Sequence, residues 1–280
     1  MNATTATSYT SAAFDPPDAS ALPATTAELL AVLLARDLAD GEKAIIGTNS
    51  DIQVAACNLA KAMHAPRLWW VSGPGGMANP VLDHIIPTAG YANLEPAEAW
   101  LDLPDMIDFI DWQVHFFDFA ILSVLQVDRH GNINTAVVGQ QARPKLRGPG
   151  TVGISALCGL SKRFYVVAQR HDKHTFVPRV DFICGAGHLD GGDSRERASL
   201  PPGGPRLVVS PLGVFDFEPV TKAMRVRSLH PGVTLDQVRA NTGFEVLCEG
   251  TPAVTELPTA RELAVLRARV DRTGVLRQSR

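Results

Sequence analysis

The sequence comprises 280 residues, of which 45% are hydrophobic and 20% are charged, and its formal net charge is −3. This balance predicts a folded protein with a sizeable core, built as one large α/β domain or two small ones. The charge excludes a basic surface for nucleic acid or an anionic membrane, and no apolar run approaches the ~20 residues of a membrane span.

The beginning of the chain differs in composition from the rest. Residues 1–24 are rich in Ala, Thr, Ser and Pro and contain no Lys or Arg. They lack the charged start and apolar centre of a signal peptide, so we predict a disordered N-terminal tail at 1–24. One domain is expected at 25–272, followed by a C-terminal tail at 273–280.

The four cysteines are Cys57, Cys158, Cys184 and Cys248. They stand far apart and form no CxxC pair, whereas disulfide frameworks and zinc sites use closer or patterned spacing. This predicts reduced cysteines in a cytoplasmic protein.

The N-terminal part alternates helical and strand patterns. We predict helices at 27–39, 52–64 and 106–116 and strands at 43–46 and 68–71. Both strands run into loops of small residues, at 47–51 and 72–76. Because open α/β sheets bind ligands at the carboxyl ends of their strands, these loops are candidate ligand contacts through their backbone N–H groups. Neither loop is a P-loop or a GxGxxG motif.

The central stretch 126–150, QVDRHGNINTAVVGQQARPKLRGPG, is the one around which we expect the site to be organised. An apolar strand at 119–127 leads into a polar turn at 128–132. A second strand follows at 133–138, and then a Pro/Gly-rich loop at 144–153. Such a turn and loop allow backbone N–H groups to converge on a ligand.

The C-terminal part continues the alternation of strands and helices. Helices are predicted at 154–160, 235–242 and 259–270, strands at 162–168, 207–210, 223–229 and 244–247, and a long unpacked loop at 182–204. Thr234 and Gln237 stand at capping-box spacing, which places the start of one helix. The whole pattern predicts an α/β fold with an open, mostly parallel sheet flanked by helices.

Individual polar residues suggest contacts with a ligand. Asn49 and Asn132 are candidates for side-chain hydrogen bonds to a substrate. Asp51 follows the first strand and serves either as a helix N-cap or as a catalytic carboxylate. His171 and His174 lie three apart, but no further ligand stands at zinc spacing near them, so no metal site is predicted.

Five strings occur together in one order: IIGTNSDIQVAACNLAKAMHAP, QVDRHGNINTAVVG, RGPGTVG, SPLGVFDFEP and LHPGVTLDQVRANTGFEV. With them the chain resembles, from about 26 to 270, the beta-type subunit of the family I CoA-transferases, the group of glutaconate and 3-oxoacid CoA-transferases. The resemblance implies the fold shared with ribose-5-phosphate isomerase-like proteins. It also implies an alpha-type partner in a heterodimer or heterotetramer, an active site between the two chains, and a coenzyme A thioester as substrate with no further cofactor.

The resemblance also locates the family's nucleophile. The family's transferases carry a glutamate in a Ser-Glu-x-Gly string, where it attacks the thioester. The matching string here is Ser72-Gly73-Pro74-Gly75, so the catalytic glutamate is replaced by Gly73 and the catalytic residue on this chain stays unassigned, with Asp51 as a substitute.

A branch of the family that lacks this glutamate on its beta-type chain cleaves steroid rings, and the SPLGVFDFEP and LHPGVT strings resemble that branch. The function expected from it is a ring-opening carbon–carbon hydrolase in steroid or aromatic catabolism. An acyl-CoA:carboxylate CoA-transferase subunit and a non-catalytic scaffolding subunit are the alternatives. The expected substrate contacts are Asn49, Ser72, Gly73, Gly75, Asn132, Gly148, Pro149, Gly150 and Gly153. A basic group, Arg129, Arg143, Lys145 and Arg147, either meets the phosphates of coenzyme A or forms a solvated face.

Overall fold

The computed structural model describes residues 23–48, 50–111 and 114–278. The helices are α1 (Thr26–Arg36), α2 (Asp51–Met63), α3 (Leu103–Asp111), α4 (Ile154–Leu160), α5 (Ser194–Arg197), α6 (Leu235–Asn241), α7 (Ala260–Val265) and α8 (Val275–Gln278). A 3₁₀ turn spans Tyr91–Asn93, and a π-helical turn, Leu266–Val270, extends α7. None of these helices is long and apolar enough to cross a membrane.

Ten strands form the main sheet. They are β1 (Lys43–Ile46), β2 (Trp69–Ser72), β3 (Met77–Ala78), β4 (Ala99–Trp100), β5 (Phe119–Ser123), β10 (Arg163–Val167), β12 (Pro205–Ser210), β13 (Gly213–Phe217), β14 (Met224–Leu229) and β15 (Ala253–Val254). Two small sheets contain β6 (Gln126–Asp128), β7 (Ile133–Asn134) and β11 (Phe176–Val177), and the hairpin of β8 (Val137–Gln140) with β9 (Arg143–Arg147).

The centre of the main sheet is parallel and its flanks are not. The order is β15-β14-β13-β12-β10-β5-β1-β2-β3-β4. The five strands from β12 to β2 run parallel to one another, whereas β13 and β14 on one side and β3 and β4 on the other are antiparallel to their inner neighbours. The prediction of an open α/β sheet is confirmed, with a parallel centre. The short connections to β13 and β3 explain the antiparallel flanks, because only antiparallel neighbours can be joined by a tight turn.

Both faces of the central strands are buried. Successive side chains of a strand point to opposite faces, so apolar residues are needed on both faces and the strands appear in the sequence as short continuous apolar runs. Ala44 and Ile46 of β1 join a core formed with α1, α2 and the C-terminal helices, while Ile45 faces a second core beneath α3, α4 and α6. Helix α2 is buried at nine consecutive positions, Ile52 to Ala60, and therefore lies inside the molecule.

Local capping signals placed several helix starts correctly. Thr234 and Gln237 form a complete capping box at α6, and Thr259 and Glu262 form one at α7. The predicted helix at 106–116 instead begins at Leu103, and the predicted strand at 133–138 is divided into β7 and β8. The expected strand at 244–247 forms only an isolated bridge from Leu247 to Arg225.

Two segments predicted as loops are structured. Residues 143–147 form β9, which pairs with β8, so the glycine loop begins only at Gly148. The long segment 182–204 was predicted to be unpacked, and this was wrong. Gly185 bridges to Ile133, α5 lies within the segment, and Cys184, His188 and Arg195 are buried. At Gly185 and Gly187 the backbone passes so close to Ile133 and Gly131 that a Cβ would collide with them.

The chain ends assigned to tails are described only in part. Most of the predicted N-terminal tail lies outside the described residues. The predicted C-terminal tail is described to Gln278, and there it packs onto the domain, since Leu276 of α8 is fully buried in the core with α1 and α2.

Candidate functional site

A cleft opens at the carboxyl edge of the parallel strands. It consists of two adjoining cavities of about 180 and 210 Å³. The two cavities share Gly47 and Thr48 after β1, Leu122 near the end of β5, and Pro149 and Ile154 at the glycine loop. This is the edge at which parallel α/β sheets bind their ligands, as predicted from the loops that follow the first strands.

The smaller cavity presents uncharged polar groups. Thr48, Ser123, Thr135 and Gln169 lie on its wall. The hydroxyl of Ser123 accepts a hydrogen bond of 2.7 Å from the side-chain amide of Gln53 in α2. Gln53 is only 1% exposed, so it reaches the cavity through Ser123 rather than directly.

The larger cavity is mainly apolar. Its side chains are contributed by Ile45, Met106, Ile107, Leu122, Val152, Ile154 and Leu157, with Gly73, Gly150 and Gly153 exposing backbone. Among the described residues, no ionisable side chain lines either cavity. A charged group that acts in this cleft therefore has to come from outside the described lining.

The loop 148–153 supplies backbone donors. Thr135 holds it in place by donating a hydrogen bond of 2.6 Å from its hydroxyl to the carbonyl of Gly150, and the Gly148 N–H donates to the carbonyl of Ala136 at 2.7 Å. A Cβ at Gly148 would collide with the carbonyl oxygen of Thr135, which requires glycine here. Within the described chain, the N–H groups of 151–153 have no hydrogen-bond partner, and of these residues Val152 and Gly153 line the larger cavity.

The loop after β2 does not supply such donors, contrary to the sequence prediction. The N–H of Gly73 donates to the carbonyl of Ile46 at 2.9 Å, and those of Gly75 and Gly76 donate to the carbonyl of Ser72 at 3.2 and 2.8 Å. The hydroxyl of Ser72 is buried and donates to the carbonyl of Thr88 at 2.6 Å. Gly73 lines the cleft, but Ser72 and Gly75 shape the loop from behind it.

Asn132 lies apart from the cleft and its amide is fully used within the protein. Its Nδ2 donates to both oxygens of Asp128 at 3.1 and 2.9 Å and to the carbonyl of Leu189 at 2.8 Å. Its Oδ1 accepts from the N–H groups of Gly187 and Leu189 at 2.9 and 3.0 Å. Asn132 therefore connects the turn after β6 to the segment 187–189 through these hydrogen bonds. Its amide makes no contact in the cleft, where the substrate was predicted to bind.

Asp128 holds the same turn by accepting hydrogen bonds from Asn132 and His130. Burial raises the pKa of its carboxyl, against the effect of N–H donors from Asn132 and His130. The hydrogen bonds from these donors are 2.9 to 3.1 Å long. A buried carboxyl satisfied by several neutral donors is characteristic of a rigid turn.

Of the two predicted side chains after β1, Asn49 lies outside the described residues. Asp51 is the first residue of α2, and the cap position belongs to Ser50, whose side chain makes no capping bond. Burial, and secondly the nearby Asp271, raise the pKa of Asp51. Asp51 is not among the residues that line the cleft, so it is neither the predicted N-cap nor a carboxylate seated in the cavities.

The basic residues around the site are exposed. Arg143, Lys145 and Arg147 alternate along β9 and so share one face of the hairpin, directly before the glycine loop. Arg129 is also exposed, on the turn after β6. None of the four forms an ion pair with a described residue, so both predicted roles, contact with phosphate and a solvated face, stay open.

The described residues contain no group of three or more His, Cys, Asp or Glu side chains that could hold a metal ion. Both ring nitrogens of His171 contact hydroxyls, of Ser210 at 2.7 Å and of Thr242 at 3.0 Å. The ring stacks on Phe176 at 3.8 Å, and burial lowers its pKa to about 4. His171 therefore joins β12, α6 and β11.

Of the predicted contacts, the structure brings Gly73, Pro149, Gly150 and Gly153 together in the cleft. Thr48 lies in the predicted loop 47–51, whereas Ser123, Gln169 and, behind them, Gln53 were not among the predicted contacts. The available signal was Gln53 itself, because a side-chain amide on a buried helix must have a hydrogen-bond partner.

Comparisons with known proteins match most of the chain. A model of the family described as Coenzyme A transferase matches residues 113–241. The chain is 34% identical over 252 residues to the B subunit of 3-oxoadipate CoA-transferase from Pseudomonas knackmussii, a match that covers 89% of this chain and 94% of that protein. It is 29% identical over 255 residues to the cholesterol ring-cleaving hydrolase IpdB subunit of Mycobacterium tuberculosis, a match that covers 88% of this chain and 95% of that protein.

Solved structures show the same fold. Glutaconate coenzyme A-transferase from Acidaminococcus fermentans superimposes with a TM-score of 0.81 at 23% identity, covering 91% of this chain and 98% of that chain. The IpdAB structure of Rhodococcus jostii superimposes with a TM-score of 0.74 at 26% identity and the same coverage of both chains.

Proposed function

The chain belongs to the coenzyme A transferase family, as a beta-type subunit, and on that premise we propose that it is half of a heteromeric hydrolase that opens a carbon ring of an acyl-CoA thioester. An alpha-type subunit is the other half and supplies the catalytic carboxylate. The names of its relatives support a second chain, since one relative is the B subunit of a transferase and another is half of an IpdAB pair.

The observation that carries this proposal is the lining of the cleft. Transfer of coenzyme A requires a carboxylate nucleophile, and hydrolysis requires a base to activate water. No described residue of the lining is ionisable, and at the position that the resemblance assigns to the family's glutamate the cleft wall is Gly73. The reacting carboxylate in our proposal therefore comes from the partner chain.

The apolar wall of the larger cavity favours a substrate whose acyl group is apolar. Met106, Ile107 and Leu157 line the larger cavity with no described cation beside them. A second carboxylate on the acyl group, as in a dicarboxylic acid, would lose its hydration there without gaining a charged partner, which is unfavourable. A fused carbon ring carrying a ketone fits this wall better.

The reaction needs two groups, one from each chain. The partner's carboxylate takes a proton from water, and the hydroxide adds to the ring ketone. The ring carbon–carbon bond then breaks, which leaves a carboxylic acid and an enolate that is protonated in turn. The free N–H groups of 151–153 stabilise the oxyanion, an effect of roughly 3 kcal/mol per donor in other enzymes.

A second candidate is an acyl-CoA:carboxylate CoA-transferase. The 34% identity to the B subunit of 3-oxoadipate CoA-transferase favours it. This reaction passes through a covalent glutamyl-CoA thioester, so the two candidates differ in whether this chain becomes modified.

The test uses the assembled heteromer with an acyl-CoA. Trapping with borohydride or hydroxylamine, followed by mass spectrometry of both chains, is expected to show no adduct on this chain. A glutamyl or aspartyl adduct on this chain contradicts the proposal and supports the transferase. Retained turnover after Thr135→Val and Gln53→Leu, in complexes that still assemble, would support a scaffolding subunit instead.

A further inference from the structure

A second cavity, of about 460 Å³, lies on the segment between β11 and β12 and shares no lining residue with the cleft. It is lined by His188, Gly192, Asp193, Arg195, Glu196, Leu200, Pro201, Pro202, Gly203 and Lys222. The proposed reaction makes no use of any of these residues.

The guanidinium of Arg195 is buried in the wall of this cavity, and no carboxylate of the described residues pairs with it. The residue is 8% exposed. Its Nη atoms donate to five backbone carbonyls, those of Ala186, Gly187, Cys158, Gly159 and Pro201, at 2.8 to 3.4 Å. Its Nε has no partner in the described chain. Neutral carbonyls satisfy hydrogen bonds but leave the full positive charge, and a buried arginine is ordinarily paired with an anion.

His188 adds a buried donor to the same wall. It is 9% exposed and packs edge-on against Phe217, with ring centroids 5.1 Å apart. Its ring nitrogens form no hydrogen bond with any described residue. Burial, together with the charges of Lys222, Arg195 and His130, lowers the pKa of His188 to about 3. At neutral pH the ring is therefore neutral and carries one N–H donor beside two fixed cations.

Lys222 also lines the cavity, from the turn between β13 and β14. Its backbone adopts the left-handed conformation, with φ of 58°, and its carbonyl contacts Nδ1 of His130 at 3.0 Å. Among the described residues its ammonium forms no ion pair. The turn thus holds a half-buried lysine at the cavity with its charge uncompensated.

The two carboxylates of the lining do not neutralise these cations. Asp193 and Glu196 are both exposed, and Asp193 is paired with Arg197. Exposed carboxylates are hydrated and screened, whereas the guanidinium of Arg195 is desolvated. The buried part of the cavity is therefore electropositive.

We propose that this cavity is a binding site for a phosphate group, held by Lys222, by the N–H of His188 and by the charge of Arg195. The ligand class is inorganic phosphate or a metabolite that ends in a phosphomonoester. The oxyanion supplies the negative charge that a carboxylate partner of Arg195 would supply, and it accepts hydrogen bonds from Lys222 and His188.

The site and the cleft both adjoin α4. Arg195 donates to the carbonyls of Cys158 and Gly159 in the last turn of α4, while Ile154 and Leu157 of the same helix line the cleft. The two cavities share no lining residue, but they contact one rigid element.

The test is calorimetric titration of the assembled heteromer with inorganic phosphate at constant ionic strength. The wild type is expected to bind one phosphate per copy of this chain. Lys222→Gln is expected to weaken binding about tenfold or more, because a charge-assisted hydrogen bond is lost. Lys222→Arg retains binding, and Lys173→Gln, which removes an exposed lysine elsewhere, binds as the wild type does.

Thermal unfolding distinguishes a loss of phosphate binding from a loss of the fold, and ligand competition identifies the ligand. Thermal unfolding of each variant shows that the fold is intact, and phosphate is expected to raise the Tm of the wild type but not that of Lys222→Gln. Competition experiments distinguish inorganic phosphate from a phosphomonoester metabolite as the ligand. Coenzyme A carries a 3′-phosphomonoester that 3′-dephospho-coenzyme A lacks, so displacement of phosphate by coenzyme A alone identifies a phosphomonoester ligand. Absence of phosphate binding in the wild type, or equal binding by Lys222→Gln, overturns the proposal.

Discussion

The side-chain amide of Gln53 donates a hydrogen bond of 2.7 Å to the hydroxyl of Ser123, and this bond connects the buried helix α2 to the wall of the cleft. Gln53 is 1% exposed and belongs to the core, whereas Ser123 ends β5 at the cavity. Gln53 is therefore a positioning residue, because it acts on the cleft only through the orientation of the serine hydroxyl.

Gln53→Leu is expected to lower kcat about tenfold and to change KM less, because the misplaced hydroxyl costs roughly 1 to 2 kcal/mol. Steady-state kinetics of the heteromer measure both constants. The matched control is Asn58→Leu, on the same buried helix, which removes a hydrogen bond of 3.0 Å from Trp70 that does not involve the cleft. This control is expected to lower Tm without changing kcat. Equal kinetic effects of the two variants would contradict the role of Gln53.

Gly73→Glu tests whether the cleft accepts a glutamate at the position that the resemblance assigns to the family's nucleophile. A Cβ at Gly73 would lie 3.2 Å from the carbonyl of Ile46 and 3.5 Å from Ile45, which demands only small adjustments, and no positive φ opposes it. The variant is expected to fold and, with an acyl-CoA, to form a covalent adduct on the introduced glutamate that mass spectrometry detects.

The comparison for this variant is Gly76→Ala. Gly76 has φ of +66°, and a Cβ there would collide with the carbonyl of Leu101. This smaller substitution is expected to lower Tm by several degrees because the strain is about 1 to 3 kcal/mol. If Gly73→Glu lowers Tm as much as Gly76→Ala does, the expectation that a side chain fits at position 73 is contradicted.

Thr135→Val removes the hydroxyl that holds the glycine loop at Gly150. The loop N–H groups at 151–153 then lose their fixed positions, and kcat/KM is expected to fall about tenfold through the loss of preorganised donors. The control is Thr221→Val, which removes an exposed hydroxyl bonded to Glu218 at 2.7 Å and is expected to leave kinetics unchanged. A wild-type kcat/KM in Thr135→Val would show that the loop is held by its backbone alone.

Glu28 and Arg267 form a buried ion pair that joins α1 to the π-helical turn. Nε and Nη2 of Arg267 donate to the two carboxylate oxygens of Glu28 at 2.8 and 2.9 Å, and the two side chains are 4% and 0% exposed. Glu28→Gln is expected to destabilise the fold by about 3 to 5 kcal/mol, because it leaves the arginine charge buried. Urea unfolding measures the loss. Glu256→Gln removes the 82% exposed partner of Arg36 and is expected to cost less than about 1 kcal/mol.

Acid stability depends in part on Glu262. Burial alone would raise the pKa of its carboxyl, but hydrogen bonds from Arg36 and Thr259 outweigh burial and lower the pKa to about 2, from 4.5 in the unfolded chain. A depressed folded pKa stabilises the fold above the unfolded value and loses this contribution as pH falls from 4.5 to 2. The wild type is expected to lose more stability over that interval than Glu262→Gln, as measured by urea unfolding at each pH. Parallel curves would contradict the assignment.

Several elements were predictable because their signals are local. The capping box of Thr234 and Gln237 lies within four residues, and the strand Lys43–Ile46 is an apolar run between polar turns. The meeting of Gly47 and Gly73 at one cavity also followed, since the strand ends of a parallel sheet meet at one edge. Asn132 was predicted to contact substrate, whereas its amide in the structure donates to Asp128 and to the carbonyl of Leu189. The sequence of a turn that contains Asn and Gly does not distinguish an asparagine that binds a ligand from one that bonds within the protein.

The alternation of helices and strands, the family and the glycine at position 73 could be inferred from the amino-acid sequence alone, because each follows from short runs of neighbouring residues. The unpaired N–H groups, the hydrogen bond from Gln53 to Ser123 and the packing of the segment around Arg195 became visible only in the folded structure. These depend on carbonyls and side chains brought together from distant positions, and hydrogen bonding is satisfied in space rather than along the chain.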